Sequence, residues 1–230
     1  MLLAIDTSTR YAGIALMDKE GMLRQLLHWR SQQNHTVELI PSIQQVFARQ
    51  GVTLADLDGI AIAIGPGSFS ALRVGLSVAK GLAWTSNVPL AAVTTLEAEA
   101  FPFRGVAETV CAILDAGRGE LALGIYTSTA DGVTLVQPEA IVALHRIKEA
   151  IPPATLLCGE GLERLTPEVA ASLAGHCRLA LPYHSSQRVV ALAHVGRKRL
   201  QAGQAQDPVT LQPFYLRKPS ITEPAQPSTR

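Results

Sequence analysis

The 230-residue chain has few cysteines, few aromatic residues and few charged residues. Its three cysteines, Cys111, Cys158 and Cys177, are odd in number and form no CxxC pair, which argues against a disulfide framework and a zinc knuckle. Aromatic residues make up 5% of the chain, so the core must be built from aliphatic side chains. Because 47% of the residues are hydrophobic and only 17% are charged, the composition excludes a disordered chain.

Positive and negative charges are nearly balanced. Twenty Lys and Arg residues stand against 19 Asp and Glu residues, a net charge of +1. A nucleic-acid binder that works alone normally carries a basic surplus, so the overall charge gives no sign of one. No apolar run reaches the roughly 18 residues of a membrane helix, and the first residues lack the basic region of a signal peptide. We therefore predict a cytoplasmic protein with no membrane segment.

Several motifs of catalysis are also missing. The six histidines show no HxxxH or HExxH spacing, and no GxSxG nucleophile elbow is present. The turn Gly65-Pro66-Gly67-Ser68 precedes a predicted helix that Ser68 would cap, where an anion could bind, but it has no P-loop lysine. The sequence therefore predicts no catalytic residue and no metal site.

Apolar spacing predicts alternating strands and helices, and hence an α/β fold. Strands are predicted at 2–5, 12–17, 22–29, 59–64, 89–93, 109–114, 121–127, 135–137 and 154–158, and helices at 36–50, 68–86, from 95, and at 138–150, 161–175 and 186–203. The order of strand, Asp, polar turn and strand at Asp6 recurs at Asp115, which suggests two related subdomains. We predict an N-terminal subdomain over 1–103 completed by the helix 186–203, a smaller subdomain over 104–185, and a flexible tail over 216–230.

Two segments stand out as candidate sites. The turn at Asp6-Thr7-Ser8 could hold a phosphate or magnesium, or Asp6 could cap its own turn, and the sequence favours the second. The helix 68–86 is apolar on every side, so it must be buried on every side. Gly75 and Gly81 each cost that helix roughly 1 kcal/mol relative to alanine. Burial within its own domain and burial against a partner protein both remain open.

Three motifs carry a resemblance to a known family: Ile5-Asp6-Thr7-Ser8, the run Gly65–Gly75, and Pro213–Arg217. Over residues 2–217 the chain resembles the TsaB (YeaZ) family, although Ser70-Ala71 stands where that family usually has Thr-Gly. The resemblance implies an actin/Hsp70/sugar-kinase-like (ASKHA) fold, with two related subdomains that each have a central mixed sheet and flanking helices. It also implies a non-catalytic subunit that supports TsaD and the ATPase TsaE in transferring threonylcarbamoyl to the adenosine beside the tRNA anticodon (t6A formation).

The resemblance also bears on cofactors. Asp6, Thr7 and Ser8 lack the glycine of the superfamily's phosphate motif, which leaves at most a weak phosphate contact. The resemblance implies no cofactor for the isolated chain and leaves open whether ATP or ADP binds at the junction with TsaD. Thr95 and Glu99 stand where TsaD has its two metal-ligating histidines, which implies that the metal site is lost.

A partner surface follows from the same resemblance. In that family the helices corresponding to 36–50 and 68–86 meet TsaD, or a second copy of the chain, in a four-helix arrangement. The predicted interface residues are Leu39, Ile43, Val46, Phe47, Leu72, Gly75, Leu76, Ala79 and Ala83.

The alternatives to a subunit of this kind are an ATP-dependent small-molecule kinase-like enzyme, a peptidase of the glycoprotease type, and an RNA-binding module that uses a local patch at Arg197-Lys198-Arg199.

Overall fold

The computed structural model describes residues 1–32, 34–181 and 184–217, and its first half is built on a five-stranded mixed sheet. The strands lie in the order β3-β2-β1-β4-β5. Strand β2 pairs antiparallel with both β1 and β3, and strand β4 pairs parallel with both β1 and β5. Every residue of β1, β4 and β5 is buried, which explains why their sequences are continuous apolar runs. The five strands are β1 (Leu2–Asp6), β2 (Tyr11–Met17), β3 (Leu23–Arg30), β4 (Gly59–Ala63) and β5 (Leu90–Val93).

The second half contains a six-stranded sheet in the order β11-β10-β6-β7-β8, with β9 also paired to β7. An antiparallel hairpin of β6 and β7 opens it, and β10 and β11 run parallel to β6. Each sheet thus begins with a hairpin that carries an aspartate near its bend, as the repeat predicted. The strands are β6 (Thr109–Gly117), β7 (Glu120–Thr129), β8 (Gly132–Leu135), β9 (Ala140–Ala143), β10 (Leu156–Cys158) and β11 (Arg178–Leu179).

Helices cover both faces of the first sheet. One face packs against α1 (His35–Gln50) and α2 (Phe69–Ser86), and the other against α3 (Thr95–Ala100) and α6 (Ser186–Gln201). Two shorter helices, α4 (Ile147–Ala150) and α5 (Pro167–Leu173), pack against the second sheet. None of the helices in the described ranges is long and apolar enough to cross a membrane.

The predicted fold class is confirmed, but some element boundaries are wrong. The helix predicted over 138–150 is instead strand β9, a short 3-10 turn and α4, because the apolar residues 140–143 pair with β7. The helix predicted over 161–175 is divided: α5 begins at Pro167, and the Thr166 side chain accepts a hydrogen bond from the Val169 amide. The strand predicted at 135–137 lies earlier, as β8, and the two-residue strand β11 was not predicted.

Three other predictions have separate outcomes. Ser68 occupies the N-cap position of α2, but its side chain makes no capping hydrogen bond. The predicted tail lies outside the described residues except for Leu216 and Arg217. The subdomain boundaries stay a prediction. The strands of the first sheet lie within residues 2–93 and those of the second sheet within residues 109–179. Helix α6 packs on the first sheet.

Candidate functional site

A cleft of about 450 Å³ lies between the two sheets. Its walls come from the β1–β2 turn, the turn before α2, strand β6, a 3-10 helix at 160–164 and the segment 215–217. Basic side chains in its lining are engaged with carboxylates: Arg10 pairs with Glu163, and Arg164 lies 3.3 Å from Asp115. Arg217 pairs with Glu120 of β7. The cleft is therefore polar, but these cations already have counter-charges.

The β1–β2 turn is held by its own side chains. One Asp6 oxygen accepts hydrogen bonds from the amide and hydroxyl of Ser8, at 2.9 and 2.6 Å. The Thr7 hydroxyl donates to the carbonyl of Ala71 at 2.7 Å, which ties the turn to α2. Asp6, Thr7 and Ser8 are all buried, and Ser8 is the one of the three that lines the cleft. A phosphate contact of these residues stays a prediction, and the observed contacts give Asp6 and Thr7 structural roles.

Arg188 of α6 is the centre of a buried charge cluster. Its guanidinium lies 2.5 Å from Asp6, 2.8 Å from Glu99 and 3.0 Å from Glu160, and its own exposure is 1%. It also donates to the hydroxyl of Thr9 and to a backbone carbonyl, at 2.9 and 2.8 Å. Because Asp6 and Glu99 belong to the first half of the chain and Glu160 to the second, this one cation links the two.

Sequence reasoning missed Arg188, although a signal was present. Arg188 lies four residues before Leu192 and seven before Val195, so it occupies a position on the apolar, buried stripe of α6. A charged residue on such a stripe is almost never fully buried unless it is paired. The carboxylates that pair with Arg188 lie far from it in the chain, so the sequence pattern alone could not identify them.

His28 is a titratable group beside this cluster. Its ring stacks on Tyr11 with centroids 5.9 Å apart, and its Nε2 lies 3.1 Å from the hydroxyl of Ser185. Burial lowers the pKa of His28, and the positive charge of Arg188 lowers that pKa further. The imidazole is thereby favoured in its neutral form.

The positions that correspond to metal ligands do not fit a divalent ion. Glu99 already binds the Arg188 cation, and Thr95 offers only a buried neutral hydroxyl without a hydrogen-bond partner in the described part of the chain. Within residues 1–32, 34–181 and 184–217, no group of three or more His, Cys, Asp or Glu side chains could hold a metal ion.

The predicted interface residues turn out to face the chain's own core. All except Phe47, which is half-buried, are buried within the chain; these are Leu39, Ile43, Val46, Leu72, Gly75, Leu76, Ala79 and Ala83. Gly75 serves an internal contact, since a Cβ placed on it would lie 2.2 Å from the Thr7 hydroxyl. The role of these residues in a partner interface stays a prediction, and the observed contacts give them a structural role in the core. The opposite face of α1 and α2 is the one exposed to solvent.

The outer stripe of α2 consists of exposed residues at spacings of three and four: Ser70, Arg73, Ser77, Gly81 and Trp84. A Cβ placed on Gly81 would meet no atom within 4 Å, so no contact within the described chain requires a glycine there. Trp84 is 72% exposed, and on α1 Val37 and Ile40 are 59% and 42% exposed. The outer faces of both helices thus carry large apolar side chains in water.

The side chains of the basic patch at 197–199, the candidate RNA contact, bind other groups of the same chain. Arg197 lies 2.7 Å from Asp58, and Arg199 lies 2.6 Å from Glu97. The Lys198 ammonium donates to a backbone carbonyl. Two of the three cations are therefore neutralised by carboxylates, which weakens the case for a phosphate-binding strip here.

Two mixed sheets on either side of a cleft, each opened by an antiparallel hairpin, define a protein of the actin/Hsp70/sugar-kinase class. Lmo2764 from Listeria monocytogenes, described as a candidate N-acetylmannosamine kinase, shares this fold with a TM-score of 0.52 at 10% identity, covering 88% of this chain and 99% of that one. YeaZ from Pseudomonas aeruginosa is more similar, with a TM-score of 0.74 at 26% identity over 94% of this chain and 99% of that one.

Sequence comparisons narrow the class to a family. The model for TsaD, tRNA N6-adenosine threonylcarbamoyltransferase, matches residues 30–224. The tRNA threonylcarbamoyladenosine biosynthesis protein TsaB of Bacillus subtilis (strain 168) is 30% identical over 221 residues, which cover 94% of this chain and 93% of that protein. The chain therefore belongs to the TsaB family, within the wider group that the TsaD model describes. The resemblance noted from the sequence is confirmed.

Proposed function

We propose that this chain is a non-catalytic subunit in the formation of threonylcarbamoyladenosine in tRNA, and that it works with TsaD in the cytoplasm. Relatives named for this biosynthesis, of which the Bacillus subtilis protein covers 94% of the chain and the Escherichia coli protein 57%, support the pathway. The observation that carries the non-catalytic role is the Arg188 cluster. Its three carboxylates all bind one buried cation, so they serve to hold the two halves of the chain together.

The outer stripe of α2 is the surface that we propose for TsaD. A Cβ on its glycine, Gly81, would meet no atom of the described residues within 4 Å, and its exposed tryptophan is the type of side chain that dominates binding energy in interfaces. Without a partner, Gly81 costs the helix about 1 kcal/mol relative to alanine. Close approach of a second helix would offset that cost. A second copy of the chain could use the same surface when TsaD is absent, and TsaE and tRNA would join through the TsaD complex.

Gly81→Arg is expected to leave the chain folded and to weaken binding to TsaD at least about 100-fold, because a long charged side chain would fill the space reserved for the partner helix. Arginine is a better helix former than glycine, so the isolated chain should lose no stability. Circular dichroism would report folding, and isothermal titration calorimetry with purified TsaD would report affinity.

Gly132→Arg is a matched control for this variant. A Cβ placed on Gly132, in β8, also meets no atom within 4 Å, and the residue lies far from α2 in the sequence. The control should bind TsaD normally. If Gly81→Arg folds and binds TsaD with the affinity of the unmodified chain, the outer stripe is not the docking surface.

ATP is expected to bind the isolated chain with a dissociation constant weaker than about 100 μM. Both Asp6 oxygens already accept hydrogen bonds, and the arginines that line the cleft are paired with carboxylates. We propose instead that ATP or ADP binds at the junction with TsaD. Calorimetric titration of the chain, with and without TsaD, measures both cases. Micromolar affinity of the chain alone would favour the kinase-like alternative.

A further inference from the structure

A second cavity, of about 330 Å³, lies at the other end of strand β2 from the cleft. The cleft is lined by Ser8–Arg10, just before β2 begins, whereas the second cavity is lined by Met17, its last residue, and by the turn that follows. Its remaining walls come from the segment after α3, the β7–β8 turn and α6. Like the cleft, it is built from both halves of the chain, but it shares no lining residue with the cleft.

Basic side chains outnumber acidic ones in this lining. The charged residues are Lys19, Arg104, Arg197 and Lys198 against Glu20 and Asp131. Arg197 is already paired with Asp58. Arg104 lies 4.5 Å over the Phe101 ring and donates to a backbone carbonyl at 3.4 Å, and Lys198 donates to the backbone carbonyl of Asp131. Within the described ranges, neither Arg104 nor Lys198 forms an ion pair with a carboxylate.

His194 also lines the second cavity, and its pKa depends on the charges around it. Its ring stacks on Phe101 with centroids 6.4 Å apart. Burial lowers the pKa of His194, and the charges of Arg104 and Lys198 lower that pKa further. Arg104 and Lys198 therefore both lie close enough to His194 to act on its titration.

We propose that this cavity binds the phosphate group of a small compound, with Arg104 and Lys198 as the charged donors. An arginine fork and a lysine ammonium are the usual partners of phosphate oxygens in proteins. The cavity's volume is within the range of small-molecule sites. Because Glu20 and Asp131 leave only a small positive net charge, the site suits a monophosphate better than a polyphosphate. His194 would add a third donor once it is protonated.

The titration of His194 tests this proposal directly. A phosphate dianion stabilises the imidazolium, so increasing inorganic phosphate should raise the pKa of His194, measured by NMR, relative to sodium chloride at equal ionic strength. The charged groups facing His194 are Lys19 and Glu20 from the β2–β3 turn, Arg104, Asp131, and Arg197 and Lys198 from α6 itself. The His194→Gln variant assigns the resonance.

In the Arg104→Gln/Lys198→Gln double variant, phosphate should bind at least about tenfold more weakly, because two charged hydrogen bonds are lost. A matched control is Lys148→Gln/Arg178→Gln, which removes the same charges at exposed positions of the second half and should leave binding unchanged. If the double variant does not fold, Lys19→Gln in the exposed turn serves instead, with weaker binding expected there too.

Two results would overturn the proposal. One is an unchanged His194 titration with inorganic phosphate up to about 50 mM, far above the millimolar affinity of a weak specific site. The other is a response of His194 to a tRNA transcript without any response to inorganic phosphate, which would assign the site to a nucleic-acid backbone. A response to inorganic phosphate that the double variant loses and the control keeps supports the proposal.

Discussion

Arg188→Met is expected to lower the free energy of unfolding by about 3–5 kcal/mol, because removing one partner of a buried ion cluster leaves uncompensated buried charge. Arg188 and its partners Asp6 and Glu99 have side chains exposed by 2% or less, and Glu160 by 10%. Water therefore cannot replace the lost cation. Urea unfolding followed by circular dichroism measures the change, provided that the slope with denaturant is compared as well.

An exposed arginine provides the control for that experiment. Arg146 pairs with Glu149 at 2.9 Å, but both side chains are 66% exposed. Arg146→Met should therefore cost less than about 1 kcal/mol. Arg188→Lys keeps the charge but cannot reach three carboxylates with one planar fork, so it should recover only part of the loss. A loss below about 1 kcal/mol for Arg188→Met would show that the cluster does not stabilise the chain.

The main elements could be predicted because their patterns are local. Strands β1 and β4 are short apolar runs bounded by polar turns, and α1 and α2 have continuous helical spacing. The repeat of a hairpin with an aspartate near its bend gave the two related halves. The helix predicted over 138–150 is wrong because residues near its start pair with strand β7, and the local sequence pattern gives no sign of that partner. Pairing with a strand from elsewhere in the chain therefore determines the structure of that segment.

The candidate site was harder to predict than the fold. The sequence identified Asp6 and Glu99 as positions of interest, but their common partner, Arg188, lies 182 and 89 residues away. A family resemblance identifies the two helices of the proposed partner surface, and apolarity is the only property of the sequence that distinguishes their faces. Apolar residues on α2 serve the chain's own sheet first, so apolarity selected the inner face, including Leu76 and Ala79. Only the three-dimensional structure shows that a side chain at Gly81 would meet no atom of the described residues.

Ala79→Arg is expected to unfold the chain, with a loss of at least about 3 kcal/mol, because it places a cation without a partner in the aliphatic core between α2 and the first sheet. Ala79 is 0% exposed and packs among Leu3, Ile5 and Ile62 in that core. Ser77→Arg is the matched control, since Ser77 lies two residues away on the exposed outer stripe and should change stability by no more than about 0.5 kcal/mol. Thermal unfolding of the two variants in parallel gives the comparison. A folded Ala79→Arg that has lost only its affinity for TsaD would return the partner surface to the inner face of α2. Unfolding of Ala79→Arg together with a stable Ser77→Arg would leave the outer stripe as the face of α2 available to a partner.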